Sequence, residues 1–421
     1  MRILVLGSGA REHAIVSSLA AEPDSHDLRV WPGNAGIADV AICVDAGDNT
    51  DPVAVSSYVL DEGVDLLVIG PEAPLLSGVA DAVRERGVPV FGPGKAAAAI
   101  EGSKAFAKRI MAEAGVPTGR AIRAATLAEA QAALDELGSP YVVKADGLAA
   151  GKGVLVTEDR TAAVEHAERY LLQGSVLVEE FLSGDEVSLF FVSDGSTVLP
   201  LAPAQDYKRL LDGDAGPNTG GMGAYSPLPW LDDAFGSEES FVQRVLDEVA
   251  LPVVHQLDQE DTPFIGLLYC GLIVEGADIR VIEFNARFGD PETQVVLPRL
   301  RGSLAQLLFL AASGELAGEQ WPEFASEVAV GVVLASEGYP EAPAIGRPLT
   351  GLDAVPEGVE VFHAATARSG EGLTAVGGRV LTVVATAPDF DSARTEAYAA
   401  LSMLLLDGAQ FRTDIAQKVL R

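Results

Sequence analysis

At 421 residues, nearly half of them apolar, the chain is too long for one ordinary core and should divide into about two to four structural units. Its 61 acidic against 29 basic residues leave a formal charge of −32, which argues against the clustered Lys and Arg that a nucleic-acid backbone needs. No apolar run approaches the length of a membrane span, and Arg2, Arg11 and Glu12 flank a stretch too short for a signal peptide, so a soluble cytoplasmic protein with no membrane or nucleic-acid partner is expected.

The first hundred residues alternate strand and helix patterns: Ile3 to Leu6, a helix from about Glu12, Leu28 to Trp31, Leu66 to Ile69, a helix near Val79 to Arg86, and Val88 to Phe91. Such alternation predicts a parallel sheet with ligands at the carboxyl ends of its strands. Turn-forming segments follow those ends: Gly7-Ser8-Gly9, Pro32 to Gly36, Gly70 to Pro74 and Gly92-Pro93-Gly94. The first resembles a dinucleotide turn, but its third glycine is missing and Leu28 to Trp31 ends without the acid that would hold an NAD ribose. A phosphate of a smaller substrate and a purely structural turn both remain open there.

From Ser103 the pattern changes to a helix through Met111, a helix Ala128 to Leu137, a strand Tyr141 to Ala145, a Gly-rich turn Asp146 to Gly153, a helix near Ala162 to Leu172 and a strand Val176 to Glu180. Lys144 inside an apolar strand is costly to bury unless it meets an anion. With Lys152 and the loop behind it, it predicts either a phosphate-binding lid or a surface turn. Val178 to Glu186 reads as a linker whose backbone at Glu180, Phe181 and Leu182 suits an adenine edge and whose Glu186 suits ribose hydroxyls, or as an acidic turn. The irregular stretch Leu211 to Pro229, preceded by Asp206-Tyr207-Lys208-Arg209, is long enough to favour a functional loop. A helix near Phe241 to Gln256 and strands Phe264 to Val274 and Arg280 to Asn285 come next.

Ile282 to Gln294 is the most informative stretch, because Glu283, Asn285 and Arg287 alternate along an apparent strand and so share one face. A carboxylate beside an amide oxygen suits Mg²⁺, which keeps waters and substrate phosphates as its other ligands. Arg287 adds a rigid fork for a phosphate oxygen, and a solvated face running into the acidic turn Gly289 to Glu292 is the plainer alternative. Beyond Glu327, strands Val328 to Leu334, Val359 to Ala364 and Arg379 to Ala385 and a helix Ser392 to Leu405 predict a terminal α+β unit, with Glu337 to Leu349 as an insertion. Cys43 and Cys270 match no metal or redox spacing and read as small core residues.

Taken together, GSGAREHA (Gly7 to Ala14), PGNAG (Pro32 to Gly36), GPEAPL (Gly70 to Leu75), EGSKAF (Glu101 to Phe106), KADGLAAGKGV (Lys144 to Val154), GPNTGGMGAYSP (Gly216 to Pro227) and RFGDPETQ (Arg287 to Gln294) resemble, in order, the motifs of the ATP-grasp enzymes and more narrowly of the phosphoribosylamine–glycine ligase family. The resemblance spans the chain. It implies a multidomain α/β and α+β fold: an N-terminal parallel-sheet pre-ATP-grasp domain over 1–102, an ATP-grasp domain over 103–325 with a mobile lid at about 123–190, and a small α+β C-terminal domain over 326–421. The implied reaction joins glycine to 5-phosphoribosylamine with ATP and Mg²⁺ or Mn²⁺, in purine biosynthesis, by a monomer or weak homodimer.

By the same likeness Lys104, Lys144, Gly151, Lys152 and Gly153 would meet ATP phosphates, and Glu179, Glu180, Phe181, Leu182 and Glu186 would hold adenosine. Glu283 and Asn285 would ligate the metal. Arg287, Lys208 and Asp290 would be catalytic. Gly9, Arg11, Asn34, Glu72, Asn218, Thr219 and Gly220 would bind substrate. Three departures stand out: no second metal-binding glutamate of the kind many ATP-grasp enzymes carry in Leu268 to Leu272, Tyr207 where some relatives would have histidine, and Ala10 where some have glycine. An ATP-grasp carboxylase or formate-dependent ligase would lack RFGDPETQ, and a non-catalytic ATP sensor could dispense with Glu283, Asn285 and Arg287.

Overall fold

The computed structural model describes residues 1–147, 153–370 and 372–420. Its N-terminal part is the expected parallel sheet, in the order Ile42–Cys43, Asp27–Pro32, Arg2–Gly7, Leu66–Ile69, Val90–Phe91. Arg2–Gly7 and Leu66–Ile69 are almost entirely buried, which explains why they read as unbroken apolar runs. All five strands point the same way, so their carboxyl ends and following turns share one edge. Chain order reverses at Arg2–Gly7, the kind of crevice in which open α/β sheets bind ligands. Cys43 departs from expectation: it is exposed, because it lies on the outermost strand with a neighbour on one side only, whereas Cys270 is buried.

A four-stranded antiparallel sheet, Ala121–Ala124, Val176–Glu179, Tyr141–Ala145 and Val154–Thr157, carries helices Leu127–Leu137 and Arg160–Leu171 on one side. It has a core of its own, built from Val143, Val176, Val178, Ala130, Leu134, Ala163 and Ala167. A unit with a private core can move as a body. Strand Asp185–Asp194, the end of which falls beyond the lid boundary, belongs instead to the central antiparallel sheet with Val198–Pro200, Ile265–Glu275 and Asp278–Asn285. Gly184 makes that exit: its φ is 131°, and a Cβ there would lie 2.5 Å from the Val274 carbonyl oxygen.

The stretch Leu211 to Pro229 is more ordered than its composition predicts. Arg209–Leu211 and Ala215–Asn218 form a hairpin, and Gly223–Ser226 pairs with Val328–Ala335, a partner too distant in sequence for any local pattern to reveal. Consequently the C-terminal sheet runs Gln205–Asp206, Gly223–Ser226, Val328–Ala335, Arg379–Ala387, Val359–His363, and shares strands across residue 326. The last long helix is Phe390–Leu401, earlier than expected because Asp389 caps it by accepting from the Ser392 amide at 2.8 Å. No helix among the described residues is long and apolar enough to cross a membrane.

Candidate active site

A cleft of about 760 Å³ opens between the lid sheet, the central sheet and the N-terminal turns. Five of the seven lysines, Lys104, Lys108, Lys144, Lys208 and Lys418, line it together with Arg287. In a chain of charge −32 this concentration of cations marks a site for an anion. Glu283 and Asn285 project from strand Asp278–Asn285 into the same space, as alternation predicts, and Glu72, Asn218, Thr219, Gly220 and Asp290 join them.

Each lysine is held. Lys144 Nζ lies 3.0 Å from Glu179 Oε2, so the buried lysine does meet an anion, one supplied by the neighbouring lid strand. Lys108, which local reading of the sequence left aside, shares that carboxylate at 3.3 Å. Lys104 Nζ donates to the Gly147 carbonyl at 3.0 Å. Burial lowers the Lys104 and Lys108 ammonium groups below the usual lysine range, opposed by Glu283 and Glu179 respectively. Gly153 lines the cleft, while Gly151 and Lys152 lie outside the described residues.

Glu179, Glu180, Phe181, Leu182 and Glu186 form the far wall. The Glu180 amide already donates to the carbonyl of Arg120, the residue before strand Ala121–Ala124, at 2.9 Å. Glu186 forms an ion pair with Lys208 Nζ at 2.6 Å, and Glu283 approaches the same ammonium at 4.0 Å. Burial works against the charge on Lys208, yet Glu186, Asp206, Tyr269 and Glu283 outweigh it and raise its affinity for the proton. Conversely, burial resists ionisation of Glu283, but Lys208, Lys144, Lys104 and Arg287 hold its carboxyl below the ordinary range.

The donors at Glu283 and Asn285 fit a hard cation. Among the described residues no group of three or more His, Cys, Asp or Glu could hold a metal alone, so remaining oxygens would come from phosphate and water. Across the sheet Gly271 faces Glu283 and Tyr269 faces Asn285, so the neighbouring strand offers no carboxylate at these two positions. A different carboxylate lies close by. Glu292 is buried and accepts from Ser188 Oγ at 3.0 Å and Tyr269 OH at 2.9 Å.

Arg287 does not stand free. Its Nη2 lies 2.8 Å from Glu101 Oε1 and its Nε 3.7 Å from Glu72. Asp290 is held by Arg379, which forms an ion pair at 3.1 Å and donates to the carbonyls of Gly220 at 2.6 Å and Asp290 at 2.7 Å. Tyr339 OH accepts from the Gly220 amide at 2.9 Å. Arg379 and Tyr339 lie in the terminal part of the chain, and no local motif singled them out.

At the N-terminal turns, Gly9, Arg11 and Asn34 lie outside the cleft's lining. The Gly9 amide donates to Glu12 Oε2 at 2.6 Å, and a Cβ on Gly70 would meet Glu12 Oε1 at 2.1 Å. Of the readings open for Gly7-Ser8-Gly9, this geometry favours a turn that keeps its glycines because the Glu12 carboxylate fills the space. Arg11 pairs with Glu12 at 2.6 Å and donates to the Phe288 carbonyl at 3.1 Å. Asn34 accepts from the amides of Gly36 and Ile37 and donates to the carbonyls of Ser8 and His363, so its side chain braces the N-terminal turn against the C-terminal sheet.

Three family descriptions match in succession: the N domain of phosphoribosylglycinamide synthetase over residues 1–101, its ATP-grasp (A) domain over 102–293 and its C domain over 329–418. The chain is 67% identical over 425 residues to the phosphoribosylamine–glycine ligase of Leifsonia xyli, covering 99% of this chain and 100% of that one. It is 54% identical over 422 residues to the Streptomyces coelicolor enzyme of the same name, with 99% of each covered. The crystal structure of phosphoribosylamine–glycine ligase from Thermotoga maritima superposes with a TM-score of 0.83 at 32% identity, over 98% of this chain and 100% of that one. With its cation-lined cleft between an N-terminal parallel sheet, an ATP-grasp core and a C-terminal sheet, this chain belongs to the phosphoribosylamine–glycine ligase family, ATP-dependent enzymes that use a divalent metal to join glycine to phosphoribosylamine in purine biosynthesis.

Proposed function

We propose that the cleft activates glycine as glycyl phosphate and that the residues converging on it divide the work as follows. Lys104 and Lys144, with Lys152 and the backbone of Gly151 and Gly153, bind the phosphates of ATP. Glu179 to Leu182 and Glu186 hold adenosine. Glu283 and Asn285 hold Mg²⁺ or Mn²⁺, which offsets charge on the phosphates when bound. Arg287, Lys208 and Asp290 face the γ-phosphate and glycine, beside Asn218, Thr219 and Gly220. Glu72, with Arg11, Gly9 and Asn34 behind it, borders the phosphoribosylamine end. The units would divide at 102/103 and 325/326, in a cytoplasmic monomer or weak homodimer.

A glycine carboxylate is a poor electrophile. Its oxygen attacks the γ-phosphorus, ADP leaves, and the amine of phosphoribosylamine then displaces phosphate from the acyl carbon and loses a proton. Neither step needs a protein nucleophile. Catalysis rests on positioning, worth about 7–11 kcal/mol in favourable cases, and on cations aimed at the transferring phosphoryl group. The observation that carries this reading is the meeting of five of seven lysines with Glu283, Asn285 and Arg287 in one cleft.

The test is ADP release with product followed by mass, from Mg-ATP and glycine, with and without freshly generated phosphoribosylamine. Glycinamide ribonucleotide formed only with all three substrates is expected. ATP turnover indifferent to glycine would overturn the assignment of the second substrate.

A further inference from the structure

Tyr207 and Lys208 are neighbours near the start of the hairpin Arg209–Leu211 and Ala215–Asn218, and they meet different surroundings. Lys208 lines the cleft and pairs with Glu186 at 2.6 Å. The Tyr207 ring meets the last stretch of the chain: the Arg412 guanidinium lies 4.6 Å from its centroid, and its hydroxyl accepts from the Ala416 amide at 2.9 Å. Arg412 is 1% exposed, an extreme burial for a charged side chain. It is satisfied from both sides. Asp414 accepts from it at 2.7 and 2.6 Å within the tail, and on the hairpin Asp214 accepts at 2.7 Å and the Arg209 carbonyl at 3.2 Å.

The two segments are stitched further. The Gly213 amide donates to Asp414 at 2.8 Å, and the Thr413 amide to Asp212 at 2.8 Å. Asp214 takes a φ of 53°, a left-handed conformation that residues other than glycine seldom adopt and that these contacts hold in place. Lys418 closes the run by reaching Asp185 at 2.7 Å on the adenosine wall.

We infer that Arg412 is a positioning residue: the C-terminal segment 411–418 is a latch that docks the 209–218 hairpin over the cleft and, through Tyr207, aims Lys208 at the reacting phosphoryl group. The inference rests on the reading of Lys208 given above. Arg412 is fully partnered only while hairpin and tail are together, because lifting the hairpin removes Asp214 and the Arg209 carbonyl and leaves Asp414 to hold the guanidinium alone. The latch therefore reaches the cleft at two points, through Tyr207 at Lys208 and through Lys418 at Asp185.

The test compares full-length Arg412→Met, Arg412→Lys, Asp214→Asn and Lys208→Ala with the unaltered enzyme, by kcat, KM for ATP and for glycine, and amide hydrogen exchange over 209–218. Arg412→Met should lower kcat at least 10-fold and speed exchange in the hairpin, with KM for ATP within 3-fold. Arg412→Lys should recover part of the loss. Asp214→Asn, which removes a mostly exposed carboxylate and threatens folding least, should change the same quantities in the same direction. Undiminished turnover in Lys208→Ala would overturn the reading of Lys208 and this inference together. Diminished turnover there, with normal turnover in Asp214→Asn and in any folded Arg412→Met, would overturn this inference alone.

Discussion

Arg287 Nη2 and Glu101 Oε1 are 2.8 Å apart, an ion pair between the turn that follows strand Asp278–Asn285 and the helix Lys95–Gly102. Glu101 also accepts from the Ala286 amide at 2.8 Å, so one carboxylate fixes both the backbone and the side chain of the turn into RFGDPETQ. Burial pushes the Glu101 carboxyl up, and Arg287 is the main charge that opposes it.

Removing the arginine should thus have two separable effects. Arg287→Met leaves a buried carboxylate unpaired, which costs about 3–5 kcal/mol in comparable cases. It should also lower turnover by about 10²–10³-fold while ATP affinity changes far less. Adding Glu101→Gln, which keeps an acceptor for the Ala286 amide, should restore stability in a denaturant titration without restoring turnover. Recovery of both would mean that Arg287 acts only as a structural partner; equal losses in turnover and ATP affinity would remove its special role in the transition state.

Arg379 joins the Gly220–Gly221 loop to the Asp290 turn. Because Lys cannot span three carbonyls and a carboxylate with a fixed fork, Arg379→Lys should lower kcat/KM for glycine by about 10–100-fold and leave KM for ATP within about 3-fold. Steady-state kinetics with each substrate varied would decide it. A loss confined to ATP would place this arginine's influence elsewhere.

His13 and His363 fasten the N-terminal helix Ala10–Ala20 to the C-terminal sheet. His13 Nδ1 accepts from the His363 amide at 2.8 Å, and the His363 ring bonds Thr366 at 2.9 Å. Burial, then the neighbouring His363, pushes His13 down to about 3; burial, opposed by Asp39 and aided by Arg368, pushes His363 to about 4. Both folded values lie below the unfolded one near 6.5, so the unfolded chain takes up protons first. Stability is whole above about pH 6.5 and falls as pH drops towards about 4 for His363 and about 3 for His13, by on the order of 2 kcal/mol per imidazole between pH 7 and 5. His13→Gln, which keeps an acceptor, should remove about half of this dependence from denaturant midpoints. An unchanged pH slope would show that other groups set it.

The alternation of Glu283, Asn285 and Arg287 was legible because strand periodicity is a local property, and so was the cost of Lys144 in an apolar strand. What answered that cost was not legible. Glu179 lies on an adjacent lid strand, Glu101 on a helix that packs under the turn, and Arg379 on a strand of the terminal sheet, and nothing near Lys144, Arg287 or Gly220 announces them. Lys108 is silent in sequence for a similar reason: on a helix, without a glycine turn beside it, it resembles any surface lysine, and only its contact with Glu179 in the cleft distinguishes it. Cys43 shows the opposite error: an apolar neighbourhood suggested burial, and the position of Ile42–Cys43 at the sheet edge decided exposure.

By itself the sequence determined the chemistry on offer: which elements form, which faces carry carboxylates or cations, and, through ordered motifs, which family assembled them. Periodicity and turn chemistry act over a few residues, so they survive in the linear text. Only the tertiary structure decided which charges meet. Glu12 packs into the glycine turn, Asn34 braces it against the C-terminal sheet, and Arg412 reaches Tyr207 across about half the chain. Those pairings depend on contacts at long sequence separation, where burial makes an unpaired charge costly and leaves each partner chosen by packing rather than by its neighbours in sequence.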